Sequence, residues 1–258
     1  MKLNIPYHNN NKLETILKLV RKSDRLEAFW ECSNINAIDR LKLNDHGPIH
    51  VAIVSNIALK ILRNLIEAGV VPSVVKDHKM TNEDAEIVVV MAALLHDVGI
   101  AVHRDNHVLY SIPIALDFLK EFLPPVYSEK DAAIITAEVL HAIIAHEATN
   151  KALSVEAGII RVADALDMKQ GRARIPFSEG HVSIHSVSAM SIQEVEITKG
   201  DRPVVINITM TNSAGIFQID NLLTSKLRGS GLEDYIRIKA EVKGEEKKIL
   251  DKFEVRSC

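Results

Sequence analysis

The stretch Thr81–Gly99, TNEDAEIVVVMAALLHDVG, constrains what this chain can fold into more than any other. Thr81 and Asp84 are spaced as a capping box, in which each side chain satisfies an orphan N–H of the first helical turn. Nine consecutive apolar residues, Ile87–Leu95, then follow with no polar face. A helix that is apolar all round is stable in water only where other elements cover it on every side. It must therefore sit at the centre of a bundle. Its last turn runs directly into His96-Asp97, so an imidazole and a carboxylate arrive at the end of a buried rod. Such groups are costly there unless paired, hydrogen-bonded or bound to a cation. Gly99 is expected to end the helix in a left-handed conformation.

The covering helices are legible as 3.6-residue periodicity. Lys12–Ile38 carries apolar residues at helical spacing. Pro48 suits a first turn, where its missing N–H costs nothing, and Val51, Val54, Ala58, Ile61 and Leu65 form one face up to a stop at Gly69. A helix after His107 should run to Pro124-Pro125. Ser128 with Asp131 opens another through Ile135, Val139 and His146, and Ser154 opens the last through Ile159, Val162 and Leu166. The period then drops to two. Val204–Thr211 and Ile236–Lys243 alternate as half-buried strands, Val182–Ile197 and Ile249–Val255 do so more weakly, and Ile216, Ile219, Leu223 and Leu227 mark one helix ended at Gly229 or Gly231. The expected chain is mainly α: an all-helical bundle over 1–175, then a small α+β unit with an antiparallel sheet over 181–258. Lys239, Lys243, Lys247 and Lys248 would discourage uncontrolled edge pairing of that sheet.

The 258 residues are 47% apolar, enough for a full core. A formal charge of −3 leaves no broad basic surface for duplex nucleic acid or anionic lipid, with room only for local basic clusters. The nine-residue apolar run falls far below the ~18–20 residues of a bilayer span, and the polar start MKLNIPYHNNNK lacks a signal-peptide core. Two cysteines, Cys32 and Cys258, fit a reducing compartment, so a cytoplasmic protein with no membrane partner is expected.

Eight of the eleven histidines fall between positions 46 and 146. Histidine is the commonest metal ligand. His50 lies in the first turn of the helix opened by Pro48, and Asp164 shares a helical face with Ala157, Ile160 and Asp167. Two histidines and two carboxylates from three helices suit a mid-row divalent ion such as Mn, Fe, Ni, Co or Zn.

The ordered set His50, His96-Asp97, Asp164, in the contexts LLHDVG and VADALD, resembles the HD superfamily of metal-dependent phosphohydrolases across residues 44–170. The resemblance implies that these four residues hold one metal. Similarity to binuclear HD-GYP-like members implies a second, held by His107 and His146 with Asp97 bridging and His141 as a weaker third candidate. The chain departs from that branch. It has no GYP motif, and it carries His146-Glu147 where an adjacent His-His pair is common. His141 and His146 also diverge by about 140° on a helix. His46, four residues before His50, resembles the leaving-group acid of cyclic-nucleotide phosphodiesterases, the alternative being an exposed histidine at a helix start; His103 is equally open between ligand and surface residue. Arg104, Arg161, Lys169 and Arg172, with Arg174, are the basic residues placed to meet phosphate. The implied activity uses metal-activated water, with Asp97 and His46 as catalytic groups, to hydrolyse a nucleotide or other small phosphate ester. Two alternatives share the fold: a di-iron oxygenase, and a non-catalytic nucleotide-binding or regulatory module whose C-terminal unit binds a partner or a second protomer, making a homo-oligomer.

Overall fold

The computed structural model describes residues 3–169 and 184–244, the side chains of 184–186 excepted. The first helical stretch divides at Ser23 into α1 (Asn11–Lys22) and α2 (Asp24–Asn34), because the Ser23 side chain accepts from the Leu26 N–H and caps α2. A π-helical turn, Ile35–Arg40, continues α2. Then come α3 (Pro48–Glu67), α4 (Ser73–His78), α5 (Asn82–Leu95), α6 (His107–Phe122), α7 (Glu129–Ala145) and α8 (Val155–Ala165). The Thr81–Asp84 capping box is present in both directions, and Ser128 and Ser154 cap α7 and α8 as their sequences imply.

α5 is the axis of the bundle. Every side chain from Ile87 to Leu95 is fully buried, and α3, α7 and α8 pack against it. Burying one aliphatic side chain of this size contributes about 1.5–3 kcal/mol, so a polar substitution along this run would be severe. α3, among the described residues, is long and apolar enough to cross a bilayer, but more than half of it is buried inside the protein.

The end of α5 is fixed by its neighbours. The Trp30 indole donates to the Leu94 carbonyl (3.0 Å), Ser111 Oγ to the His96 carbonyl (2.7 Å), and Asn36 Nδ2 to the Ile100 carbonyl (2.7 Å). Carbonyls at the end of α5 and in the turn that follows it are thus satisfied by α2, α6 and the π-turn. Gly69 stops α3 with φ +86°. Gly99 departs from expectation: it is not among the left-handed residues. A Cβ there would lie 2.0 Å from the His107 carbonyl oxygen and 2.5 Å from the Ser111 nitrogen, so the glycine permits the turn after α5 to touch the start of α6.

The C-terminal unit has strands β1 (Ile192–Thr198), β2 (Val204–Met210) and β3 (Ile236–Val242) in the order β1-β2-β3. β1 and β2 are antiparallel, with Val195 opposite Ile208; β2 and β3 are parallel, with Ile206 opposite Ile238. The sheet is therefore mixed, which corrects the antiparallel expectation. Period-two alternation reports a half-buried strand and carries no direction, whereas the long helical crossover from 211 to 235 returns the chain to the end where β2 began. That crossover contains Ser213–Gly215, Gln218–Thr224 and Ser225–Leu227 in place of one regular helix. A helix, Ile184–Met190, stands where the sequence suggests the start of a strand. Arg172, Arg174 and the segment 249–255 lie outside the described residues.

Candidate metal centre

The bundle brings several helix ends to one place: the first turn of α3, the end of α5, the start of α6, and the ends of α7 and α8. Each delivers a ligand-type residue. Gly47 and Asp45 set the first. Asp45 Oδ1 accepts from the His50 N–H (3.1 Å) at the start of α3, and a Cβ at 47 would lie 2.3 Å from Asn34 Nδ2, so only glycine admits the Asn34–Asp45 hydrogen bond beside it.

Around Asp97 Oδ2 the geometry is tight. His50 Nε2 and His96 Nε2 are 3.2 Å apart, each lies 3.2–3.3 Å from this oxygen, and Asp164 Oδ1 is 3.4 Å from the first and 3.6 Å from the second. His46 Nδ1 meets the same Asp97 oxygen at 2.7 Å. Around Asp97 Oδ1 lies a second set. His107 Nε2 is 3.2 Å away and His146 Nε2 3.9 Å, the two imidazole nitrogens are 3.4 Å apart, and Glu147 Oε1 is 3.7 Å from His107. One carboxylate offers each oxygen to a different histidine pair.

The tautomers are set from behind. His50 Nδ1 donates to Asp167 Oδ2 (2.6 Å), His96 Nδ1 to the Ala93 carbonyl (2.9 Å) and His146 Nδ1 to the Ile143 carbonyl (2.6 Å). An acceptor behind each ring places the proton on Nδ1 and turns a lone pair inward at Nε2. Lone pairs and carboxylate oxygens packed at these distances repel unless positive charge sits among them. Ligand atoms bonded at about 2.0–2.2 Å to one ion have roughly this mutual spacing, so the residues present fit a divalent cation.

The same groups also set one another's titration. Burial opposes charge on His50, but hydrogen bonds to Asp164, Asp167 and Asp97 raise its pKa well above the ordinary imidazole value. Burial likewise opposes charge on His96, and Asp97 and Asp164 outweigh it, taking the group to about 9. Burial would raise Asp97 and Asp164, yet His96 and His46 hold the first, and Lys226 and His50 the second, well below the usual carboxylate range. His146 is pushed well below its ordinary value by burial, then by His96 and Lys226. His46 is lowered because burial exceeds the pull of Asp97.

Seven residues singled out in the sequence thus converge: His46, His50, His96, Asp97, His107, His146 and Asp164. Arg104 brackets His107 Nδ1, with its carbonyl 3.1 Å and its guanidinium 2.9 Å away. The remainder lie elsewhere. His141 Nε2 accepts from the Leu153 N–H (3.0 Å), turned off the cluster by its helical phase, and His103 Nδ1 accepts from the Asp105 N–H (3.0 Å) in an exposed turn. Arg161 is not a phosphate contact. It is 2% exposed, and its guanidinium donates to the carbonyls of Ala145, Glu147, Ala148 and Asn150 on one side and of Ser225, Lys226 and Arg228 on the other. Lys169 is exposed on the wall of a cavity of about 530 Å³ that Asp167 also lines.

Three participants escaped the sequence reading. Asp167 follows Asp164 by one turn and could have been found from the rule that a ligating imidazole donates its other N–H to a carboxylate. Glu147 was visible only as the residue replacing a second histidine. Lys226, whose Nζ donates to Asp164 Oδ2, sits in an unremarkable Ser-Lys-Leu and has no local signal.

This arrangement defines a helical domain whose clustered histidines and carboxylates have the geometry to hold a divalent cation, and the comparisons with known proteins give its family. Residues 49–169 match the HD domain family model. The uncharacterized protein MJ1020 of Methanocaldococcus jannaschii is 44% identical over 240 residues, covering 91% of this chain and 93% of its own. No solved structure matches. The chain belongs to the HD domain family.

Proposed function

We propose that the protein is a metal-dependent phosphohydrolase with two cation sites bridged by Asp97, acting on a nucleotide or another small phosphate ester. What carries the reading is the division of the Asp97 carboxylate, Oδ2 facing His50 and His96 and Oδ1 facing His107. His50, His96, Asp97 and Asp164 would hold the first ion, and Asp97, His107, His146 and Glu147 the second. Divalent ions so placed activate water at neutral pH and offset charge on phosphoryl oxygens.

The chain's own groups do the rest. Asp167 and the Ala93 and Ile143 carbonyls keep the imidazoles aimed inward. His46, at 19% the most exposed of the histidines around Asp97, is oriented by that carboxylate and, in its protonated form, would hand a proton to a leaving oxygen. Arg104, beside His107, offers planar donors to a phosphate. The test is to strip metal with a chelator, reload separately with Mn, Fe, Co, Ni or Zn, and assay phosphate release from nucleoside mono- and triphosphates and cyclic nucleotides. At least one metal should restore turnover of at least one ester. Full reloading without any release overturns the assignment, and oxygen uptake by the iron-loaded protein would replace it with an oxygenase.

A further inference from the structure

Among the described residues, the C-terminal unit reaches the candidate metal centre through the side chain of Lys226. Lys226 lies in Ser225–Leu227, and its Nζ donates to Asp164 Oδ2, while Asp164 Oδ1 faces His50 and His96. The two Asp164 oxygens are thereby given different work, one turned inward and one held outward. Neither partner is a surface group: Lys226 is 18% and Asp164 16% exposed.

The lysine is also held in place by its backbone. The Ser225, Lys226 and Arg228 carbonyls accept from the Arg161 guanidinium, whose remaining donors clasp the loop after His146. The Gly229 carbonyl accepts from the Ala152 N–H (3.0 Å). At Gly158 on α8 a Cβ would come 2.1 Å from the Ser230 carbonyl oxygen, so the bare glycine lets this segment lie directly against the helix that carries Asp164. Three separate features, the Arg161 clasp, the Ala152 hydrogen bond and the bare Gly158, thus hold the segment that brings one ammonium to one carboxylate oxygen.

We propose that Lys226 is a positioning residue of the metal centre, contributed by the C-terminal unit, which keeps Asp164 monodentate toward the first ion. A carboxylate left free rotates, either to chelate with both oxygens or to turn away. A hydrolytic ion needs an open coordination position, and a chelating Asp164 would occupy it. An ammonium fixed on Oδ2 opposes both motions, and partners one step removed from a metal typically alter its affinity or activity 10–100-fold. Lysine suits the task as a point charge that engages one oxygen, where a guanidinium fork favours two. The inference rests on the metal-centre reading above and gives the C-terminal unit a part in it.

The test compares the full chain with Lys226→Met, which keeps the apolar stem and removes the charge. Mn²⁺ affinity is measured by electron paramagnetic resonance of the free ion, kcat and KM with bis(p-nitrophenyl) phosphate, and folding by thermal melting. The expected result is a 10–100-fold weaker first Mn²⁺ site, a fall in kcat larger than any rise in KM, and an unchanged melting cooperativity. Lys226→Arg, retaining the charge, should recover part of the affinity. Should the methionine variant not fold, Lys226→Gln is judged by the same measurements. Equal Mn²⁺ affinity in folded variant and parent overturns the proposal. Because affinity is read without turnover, failure of the parent to hydrolyse any ester would defeat the hydrolase reading and leave this comparison intact.

Discussion

The two histidine clusters that share Asp97 are built to different standards. On the Oδ2 side the facing donor atoms of His50, His96, Asp97 and Asp164 lie 3.2–3.6 Å apart, and no ligand-type side chain among these four is more than 16% exposed. On the Oδ1 side the spacings spread from 3.2 to 3.9 Å, and Glu147 is 39% exposed at 3.7 Å from its nearest histidine. A half-solvated glutamate must give up rotamer freedom to ligate, a cost of up to about 1.5–2 kcal/mol. The buried carboxylates have already met that cost on folding. On the two-ion proposal, the comparison predicts sequential loading, with a tight first ion and a weaker, more readily exchanged second.

The largest effect is expected at the shared residue. Asp97→Asn removes the bridge and should lower metal content at both positions and reduce hydrolysis by at least about a hundredfold, read by elemental analysis and ester turnover on the same sample. A folded Asp97→Asn that retains two ions would show that the clusters are independent. Next come the members of each pair. His50→Ala should lose the tight ion, whereas His146→Ala should retain one ion per chain with near-parental affinity, as measured by calorimetric titration; the reverse pattern would invert the ranking of the two sites.

The smallest effect is expected away from both clusters and serves as their control. Asp84 accepts from Thr81, Tyr127 and Lys12. Burial favours its neutral form, but Lys12, Tyr127 and Thr81 hold its pKa below the ordinary carboxylate value. A folded-state pKa below the unfolded one gives stability that is present above about pH 4 and lost as pH falls through the folded value. Asp84→Asn should cost about 1–2 kcal/mol at pH 7, and the gap should narrow in urea melts at pH 3, with metal uptake unchanged.

The helical frame was legible because burial leaves a period. Ile87–Leu95 announced a central helix, and the capping residues Thr81, Ser128 and Ser154 stand where they were expected. The converging ligands were legible because a polar residue at the end of an apolar run demands a reason. What failed was whatever depends on a distant partner. Gly99 resembles a helix stop, but its use is set by His107 and Ser111 across the turn. Arg161 has the charge of a phosphate contact, and only the two loops around it reveal that its donors are taken. The direction of β3 depends on where the crossover lands, which alternation does not encode.

Arg161 has one more consequence, for the order of events on the ribosome. Every histidine and carboxylate named as a ligand precedes residue 170, so a nascent chain holds the whole ligand set before residues 225–228 are made. The guanidinium of Arg161 nevertheless waits for the carbonyls of Ser225, Lys226 and Arg228. Until that segment emerges, the loop behind His146 has only half its clasp and Asp164 lacks its lysine. The centre is complete only once that segment has joined the helical bundle.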